Sequence, residues 1–198
     1  KYRDPMMWQW LGFTIFDGNF ALRPEQSSIC LTLDDSARVT FRVIDLGLEN
    51  SFIYYADFPW YETITASHTQ VIDGQPPDYI DRRSPSISAD MLNQLHVAWQ
   101  RADPVTGFGE TYYRQRSTSG IWSLIYNVSQ TPEPSVYPHC EGYGDSVFVH
   151  WSEELSSQNL DVKRASRWIF DPPGFWNYYP LPTTPDYSVF PICASGEY

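Results

Sequence analysis

The sequence predicts an all-β fold, and three observations support this prediction. Aromatic residues make up 17% of the 198 residues, with 8 Trp and 14 Tyr, and these residue types favour strands. The 16 Pro and 11 Gly indicate many turns between short strands. No window of about 11–18 residues shows a clean apolar period of about 3.6 residues over helix-forming residues, so no helix is predicted.

The stretch from Ser84 to Ser123 contains the pattern of one structural unit. It reads as an apolar strand, a turn, an alternating strand that ends at Trp99, a Tyr-Tyr strand, and a Gly-Ile-Trp-Ser turn into a fourth strand. Alternating segments separated by turn residues are typical of antiparallel hairpins. We therefore predict a four-stranded antiparallel unit here.

The same pattern recurs before and after this stretch. Three predicted second strands, Ala37–Phe41, Leu95–Trp99 and Val147–Trp151, carry large or apolar side chains at alternate positions, which is the strand period. The Gly-x-Trp turn at Gly120–Ser123 is repeated at Gly174–Asn177 and, more loosely, at Phe58–Tyr61, and Trp10 is a fourth copy. The chain is therefore predicted to be built from repeats.

The repeat length indicates the architecture. Cys30, Ser88, Cys140 and Cys193 occupy equivalent first-strand positions, at steps of 58, 52 and 53 residues. Four strands in a repeat of about 50 residues are typical of β-propeller blades. We predict three complete blades with an incomplete blade at each end, at residues 1–24, 25–78, 79–132, 133–185 and 186–198. A β-sandwich with fortuitous internal similarity is the alternative.

The incomplete blades carry a further expectation. Propellers have about four to eight blades, so we expect the chain to be part of a longer protein, or a small ring whose two ends share a blade. Exchange of strands between copies of the chain would be one route to larger assemblies.

The repeat resembles a known family. The pattern P-x-I-x-A-D…L-H-V-A-W…Y-Y-R-x-R-S-T-S-G-I-W-S is similar to the BNR or Asp-box repeats of sialidase-like β-propellers, which are common in secreted microbial surface proteins. The resemblance covers essentially the whole chain, and it implies a propeller fold and an extracellular or cell-surface location. The family's S-x-D-x-G-x-x-W turn is degenerate here, because Ser119 stands near the Asp position and one residue fewer precedes Trp122.

The resemblance does not extend to the sialidase active site. That site needs three arginines to hold a carboxylate, a Tyr–Glu nucleophilic pair and an acid/base Asp. The family's F/Y-R-I-P motif is only partly matched by Phe41-Arg42-Val43-Ile44. We therefore name no catalytic, cofactor-binding or metal-binding residue. The favoured function is a non-catalytic module for protein or glycan binding or for self-assembly; the alternative is a sialidase-like glycoside hydrolase or polysaccharide lyase whose active site lies largely outside this stretch.

Charge narrows the range of partners. The net charge of −11 argues against nucleic acid and against an anionic membrane surface, because both are bound through clustered Lys and Arg. No apolar run reaches the roughly 20 residues of a membrane helix, so no membrane insertion is expected. We expect a protein or glycan partner, including copies of the chain itself.

The remaining candidate residues have structural interpretations. The carboxylate pairs are predicted to be solvated turn acids, with calcium binding as the alternative: Asp34-Asp35, Glu153-Glu154, and Asp78 with Asp81. The histidines lack metal-site spacing and are predicted to be packed and hydrogen-bonded: His68, His96, His139 and His150. Cys30, Cys140 and Cys193 are predicted as small buried groups on innermost strands, with a Cys140–Cys193 disulfide as the alternative. The repeated tryptophans are predicted to be core residues, with sugar stacking as the alternative.

Overall fold

The computed structural model describes residues 22–34, 36–46, 50–58, 69–74, 80–156, 159–179 and 181. Within these residues the chain forms twelve strands and no helix, so the all-β prediction is confirmed. Several predicted features lie outside the described residues: Trp10, Trp60, His68, Asp78, Cys193 and the strand at 186–198.

The strands form three four-stranded antiparallel sheets, and neighbouring strands in each sheet follow one another in sequence. The first sheet contains β1 (Leu22–Leu31), β2 (Ala37–Asp45), β3 (Asn50–Phe58) and β4 (Thr69–Asp73). The second contains β5 (Arg82–Ala89), β6 (Leu95–Ala102), β7 (Gly109–Arg116) and β8 (Tyr126–Asn127). The third contains β9 (Ser135–Tyr143), β10 (Ser146–Ser156), β11 (Asn159–Trp168) and β12 (Asn177–Tyr179). The predicted four-stranded unit is confirmed, and none of these sheets closes on itself.

The first strands of the sheets lie side by side, with β1 packed on β5 and β5 packed on β9. Serine hydroxyls join them by accepting hydrogen bonds from backbone N–H groups of the next first strand. Ser28 accepts from Ile87 at 3.2 Å, and Ser88 accepts from Gly142 at 2.8 Å. Because serine is small, the backbones of neighbouring sheets can approach closely along this line.

The second strands fill the two interfaces between the sheets. Leu95, Val97 and Trp99 alternate along β6 and pack against the first sheet, in a cluster that also contains Ile53, Tyr55, Ile72 and Ile87. Val147, Val149 and Trp151 alternate along β10 and pack against the second sheet, together with Ala98, Tyr113, Val128, Cys140, Ala165 and Ile169. Complete burial of a large apolar side chain contributes roughly 1.5–3 kcal/mol. The two interfaces therefore hold the three sheets together, and the predicted core role of Trp99 and Trp151 is confirmed.

The sheets have two ends, which we name by their connections. At the hairpin end, each first strand turns into the second and each third strand connects to the fourth. At the linker end, each second strand turns into the third, and the chain passes from one sheet to the next. A hydrogen bond of 2.9 Å from the Leu33 N–H to the Asn93 side chain shows that the first two hairpin ends adjoin.

The Gly-Ile-Trp-Ser turn lies at the hairpin end, between β7 and β8. The Ser117 N–H donates to the Ile121 carbonyl and the Gly120 N–H donates to the Ser117 carbonyl, each at 2.9 Å. Gly120 has a φ of 84°, in the left-handed region that glycine adopts without steric cost. Trp122 then forms a bridge with Arg116. The Gly-x-Trp pattern therefore encodes a tight turn into the fourth strand.

One predicted feature of the chain order is wrong. The turn residues Asp73-Gly74 and Pro76-Pro77 predict one long surface connection between blades from Glu62 to Arg83, but β4 occupies Thr69–Asp73 within it. β4 has only 5 residues, and no Gly or Pro precedes it between Tyr61 and Gln70, so the sequence gives no turn signal at its start.

Among the described residues, no helix is long and apolar enough to span a bilayer.

Candidate functional site

Two tryptophans occupy the same place in successive interfaces, near the linker end. Trp99 lies on β6 and Trp151 on β10, and each projects toward the preceding sheet. Both are almost completely buried. Each indole places one N–H donor in its interface, and a buried donor needs an acceptor. The polar groups around each indole therefore determine whether its N–H is satisfied within the protein.

The Trp99 indole is satisfied within the protein. Its Nε1 donates to the Asp73 carboxylate at 2.7 Å. The same carboxylate forms an ion pair with Arg82 at 2.9 Å and a longer one with Arg101 at 3.7 Å. Asp73 and Arg82 are both buried, and the Arg101 guanidinium lies 5.0 Å from the centre of the Tyr112 ring. A buried charged network therefore fills this interface beside Trp99.

Strand register identifies the equivalent residues around Trp151. The fourth-strand partner of Tyr54 is Val71, and that of Tyr112 is Asn127. Asp73 and Ser129 each follow two residues later, so Ser129 stands where Asp73 stands in the first sheet. Ser135 pairs with Glu153 as Arg82 pairs with Arg101, so serine replaces the buried arginine and glutamate replaces Arg101. The network of the first interface is thus absent from the second at every position.

A cleft occupies the place of the missing network. Its volume is about 490 Å³, within the range of small-ligand sites. The Trp151 indole is 1% exposed, and its Nε1 has no hydrogen-bond partner among the residues that the structure describes. The cleft is lined by Ser129, Gln130, Thr131, Trp151, Glu153, Lys163, Arg164, Tyr178 and Tyr179. An unsatisfied buried donor beside an open polar cleft indicates a position for a ligand acceptor.

Alternation along the strands shows which side chains share the face of Trp151. Lys163 lies directly opposite Trp151 on β11, and Glu153 follows two residues after it on β10. Lys163 Nζ lies 3.2 Å from the Glu153 carboxylate. Tyr178 points to the same face, and its hydroxyl donates to the Val128 carbonyl at 2.8 Å. This face presents donors, an acceptor and an aromatic ring, whereas Arg164 and Tyr179 alternate to the opposite face.

Ser129 connects the cleft to a second carboxyl group. Its hydroxyl donates to Glu110 and accepts from the Thr111 N–H at 3.0 Å. Burial raises the pKa of Glu110, the hydrogen bonds from Ser129 and Asn127 lower it, and the charges of Asp103 and Glu153 raise it further. The net direction is upward. Glu110 therefore holds a proton more readily than an exposed glutamate does.

At the hairpin end, the same interface contains a buried chain of hydrogen bonds. Arg167 donates to the Tyr113 hydroxyl at 2.9 Å, and Tyr113 OH and His96 Nδ1 lie 2.7 Å apart. His96 Nε2 lies 3.0 Å from the Asp90 carboxylate. Burial lowers the pKa of His96, which favours the neutral ring with its proton on Nε2. This chain joins the third sheet to the second.

The predicted site residues are placed as follows. Glu153 is not a solvated turn acid: it lies within β10, is 5% exposed and pairs with Lys163, so that prediction is wrong. Asp81 forms an ion pair with Arg42 at 2.6 Å. His96 is packed and hydrogen-bonded as predicted, and the ring of His139 lies 3.3 Å from the Ser86 hydroxyl. Cys30 and Cys140 are free thiols on β1 and β9.

No group of three or more metal-ligating side chains occurs within the described ranges. The residues that distinguish the two interfaces were not found from the sequence: Asp73, Arg82, Glu110, Ser129 and Lys163. Asp73, Glu110 and Lys163 lie on third or fourth strands, Arg82 begins a first strand and Ser129 follows β8, and none of these positions carries a marker residue of the repeat.

Comparison with known proteins gives a likeness of fold. No protein-family model matches this chain, and no curated protein matches it. The structure is similar to a family 117 glycoside hydrolase of the marine bacterium Zobellia galactanivorans, with a TM-score of 0.56 and 10% identity over 86% of this chain. It also matches an endo-arabinanase of glycoside hydrolase family 43 from Bacillus licheniformis, with a TM-score of 0.46 and 10% identity over 71% of this chain. The chain spans 59% and 50% of the lengths of these two proteins.

Proposed function

We propose that this chain is part of an extracellular or cell-surface β-propeller that binds a neutral glycan in the cleft beside Trp151. Two features support the propeller. Three successive four-stranded sheets pack along their first strands, and the fold is similar to that of the family 117 glycoside hydrolase, whose fold is of the β-propeller type. The sialidase-like repeat pattern is consistent with both the architecture and the location.

The observation that carries the glycan proposal is the cleft lined by Trp151, Glu153, Lys163 and Tyr178, beside a buried indole N–H that has no partner among the described residues. A sugar offers hydroxyl groups that accept and donate, and an apolar C–H face. The Trp151 and Lys163 donors, the Glu153 acceptor and the Tyr178 ring suit these groups. Glu153 and Lys163 neutralise each other on the face they share, and Arg164, which also lines the cleft, lies over the Phe148 and Tyr179 rings on the opposite face. A neutral oligosaccharide therefore fits better than an acidic one.

The test is binding of a panel of neutral and acidic oligosaccharides, followed by calorimetry with the best ligand. We expect a neutral oligosaccharide to bind, and Trp151→Phe to weaken its binding at least tenfold, because this change removes the N–H and keeps an aromatic ring. Trp168→Phe is the matched control, since Trp168 lies at the hairpin end and is exposed. Absence of binding across the panel, or equal binding by Trp151→Phe, would contradict the proposal.

Glycoside hydrolysis is the second candidate function, and the Glu110–Glu153 arrangement favours it. Glu153 lines the cleft, and Glu110, whose pKa is raised by burial, lies behind it on the Ser129 hydroxyl; acid–base hydrolysis of a glycosidic bond requires two carboxyl groups of which one holds a proton. If the glycan is cleaved, Glu110→Gln should slow the release of reducing ends by about 100-fold or more. Unchanged glycan after prolonged incubation with the native protein would leave binding without hydrolysis as the function.

A further inference from the structure

The hairpin end carries an exposed apolar surface that the glycan cleft does not use. We define the apolar end by six side chains, each between 57% and 75% exposed: Met91, Ile121, Leu124, Trp168, Phe170 and Phe175. With about 200 Å² of surface per aromatic side chain, Trp168, Phe170 and Phe175 alone expose on the order of 400 Å². An apolar patch of this size matches the largest found on typical monomers, and such patches are commonly interaction sites.

The six side chains come from neighbouring connections of the second and third sheets. A Cβ atom on Gly174 would lie within 2.6 Å of the Tyr126 ring, so the β11–β12 connection packs directly on the start of β8. Arg167 donates to the Asp171 carbonyl at 2.5 Å and to the Gln115 side chain at 2.9 Å, which fixes this connection to the end of β7. Buried hydrogen bonds thus hold the exposed rings in place.

The fixed position of these rings matters for binding. Rigid aromatic side chains lose little conformational entropy when a partner covers them, and Trp and Tyr are common among residues that dominate binding energy. An exposed Trp and two exposed Phe held by a buried arginine are therefore better suited to docking than the same residues on a mobile tail would be.

The exposed charges around the apolar end are acidic. Asp145 lies in the β9–β10 turn, next to the Trp168–Phe170 segment, since the Ile169 N–H donates to the Asp145 carbonyl at 2.9 Å. Asp171 lies within the β11–β12 connection, and the Asp34 side chain is half-exposed at the adjoining turn of the first sheet. Among the Lys and Arg side chains that the structure describes, only Arg83 is more than about a third exposed, and it lies at the linker end. Arg38 pairs with Asp34 at 3.1 Å, whereas Asp145 and Asp171 form no ion pair with a described residue.

We propose that the apolar end docks a protein segment that presents apolar side chains flanked by Lys or Arg. Apolar contact would supply affinity, and the acidic rim would select a basic partner and increase the association rate. A second copy of this end is disfavoured, because it would bring acidic rims together. This surface is at the opposite end of the sheets from the cleft, so the two proposals stand independently.

The experiment uses three synthetic 14-residue peptides and measures binding by fluorescence anisotropy. The first is an amphipathic Leu/Lys peptide, the second replaces every Leu with Ser, and the third replaces every Lys with Glu. We expect the Leu/Lys peptide to bind at least tenfold more tightly than either of the others. Equal binding of the Ser/Lys peptide would mean that net charge alone attracts it, and would overturn the proposal.

Substitutions locate the interaction on the molecule. The triple variant Trp168→Ser, Phe170→Ser, Phe175→Ser should lose at least tenfold in affinity for the Leu/Lys peptide, and Asp145→Asn with Asp171→Asn should weaken it and reduce its dependence on salt. The control is Val105→Ser with Phe108→Ser, which removes exposed apolar groups from a turn at the linker end.

Three results would overturn the proposal. The first is an equal loss of affinity for the Leu/Lys peptide in the Val105→Ser, Phe108→Ser control. The second is self-association of the native chain that the triple variant abolishes. The third is stronger binding of the native chain to phosphatidylcholine vesicles than to the peptide. Glycan binding by the triple variant should remain unchanged, so failure of one proposal is distinguishable from failure of the other.

Discussion

The two interfaces between the sheets share their apolar residues and differ in their polar ones. Trp99 and Trp151 have the same strand position and the same burial, and similar aliphatic residues surround them. Asp73, Arg82 and Arg101 enclose the Trp99 indole, whereas small or differently charged residues leave a cleft beside Trp151. Apolar repetition thus builds the architecture, and variation of a few polar residues decides which interface is closed and which is open.

The two interfaces also differ in how much their ion pairs are expected to contribute to stability. A buried ion pair is costly to break, because removal of one partner leaves the other charge buried, without a countercharge and without water to solvate it. The Glu153–Lys163 pair is less critical, since the Lys163 side chain is 27% exposed and water can replace its partner. We therefore expect the first interface to be important for stability and the second to tolerate substitution.

The largest expected effect comes from breaking the closed network. Asp73→Asn leaves the buried Arg82 without a countercharge and should destabilise the fold by about 3–5 kcal/mol. Glu153→Gln, the matched change in the open interface, should cost about 1 kcal/mol or less. Urea unfolding followed by tryptophan fluorescence measures both.

A double substitution tests whether the unpaired charge is the cause. Asp73→Asn combined with Arg82→Met removes the charge and should recover at least half of the loss. Equal costs for Asp73→Asn and Glu153→Gln, or no recovery in the double variant, would remove the energetic distinction between the interfaces.

The architecture was more predictable than the site. Alternation at Leu95, Val97 and Trp99 and its repetition at Val147, Val149 and Trp151 identified the second strands, because every alternate position faces the same core. Glu153 was misplaced because two adjacent glutamates look like a solvated turn. It lies two residues after Trp151, as Arg101 lies two residues after Trp99, and this equivalence assigns it to a strand.

The cleft could not be predicted because it depends on contacts between sheets. Asp73 and Ser129 are equivalent only through the pairing of a fourth strand that contains an irregularity between Ile53 and Tyr54. A one-residue shift in register changes the face of every side chain that follows. The sequence repeats show that a Trp recurs on the second strand. The acceptor for the Trp99 N–H, however, is Asp73 on the short strand β4, which carries no residue that recurs between the repeats.

A smaller effect is expected from the two tryptophans themselves. Trp99→Phe and Trp151→Phe remove the same atoms, but only Trp99 donates a hydrogen bond to a buried carboxylate. Such a bond contributes about 1.5–3 kcal/mol, so Trp99→Phe should be more destabilising than Trp151→Phe by about 2 kcal/mol. Thermal and urea unfolding of the two variants provide the comparison. A greater loss for Trp151→Phe would mean that its indole has an acceptor in the folded protein.

The smallest effect concerns acid, which should act on the second interface more than on the first. His96 lies in the chain from Arg167 through Tyr113 to Asp90, with the Cys140 thiol on the His96 carbonyl, and the first interface has no histidine among the described residues. Burial lowers the pKa of folded His96 below its ordinary 6.5. As pH falls through 6.5, the unfolded chain therefore gains a proton that the folded protein does not, and stability is lost.

The expected loss between pH 7.5 and 5.5 is on the order of 1 kcal/mol for this one group. His96→Gln keeps a neutral donor and acceptor at the position, so it should remove that part of the pH dependence. Other groups still titrate in the variant, including His150, whose pKa burial lowers to about 4.

Hydrogen exchange gives the local test: at pH 5.5, amides of β7 and β11 should lose more protection than those of β3. Protonation would make His96 Nδ1 a donor, so the Tyr113 hydroxyl could no longer donate to it and its proton would need another acceptor. Equal loss of protection in β3, or an unchanged pH dependence in His96→Gln, would show that acid does not act through this chain.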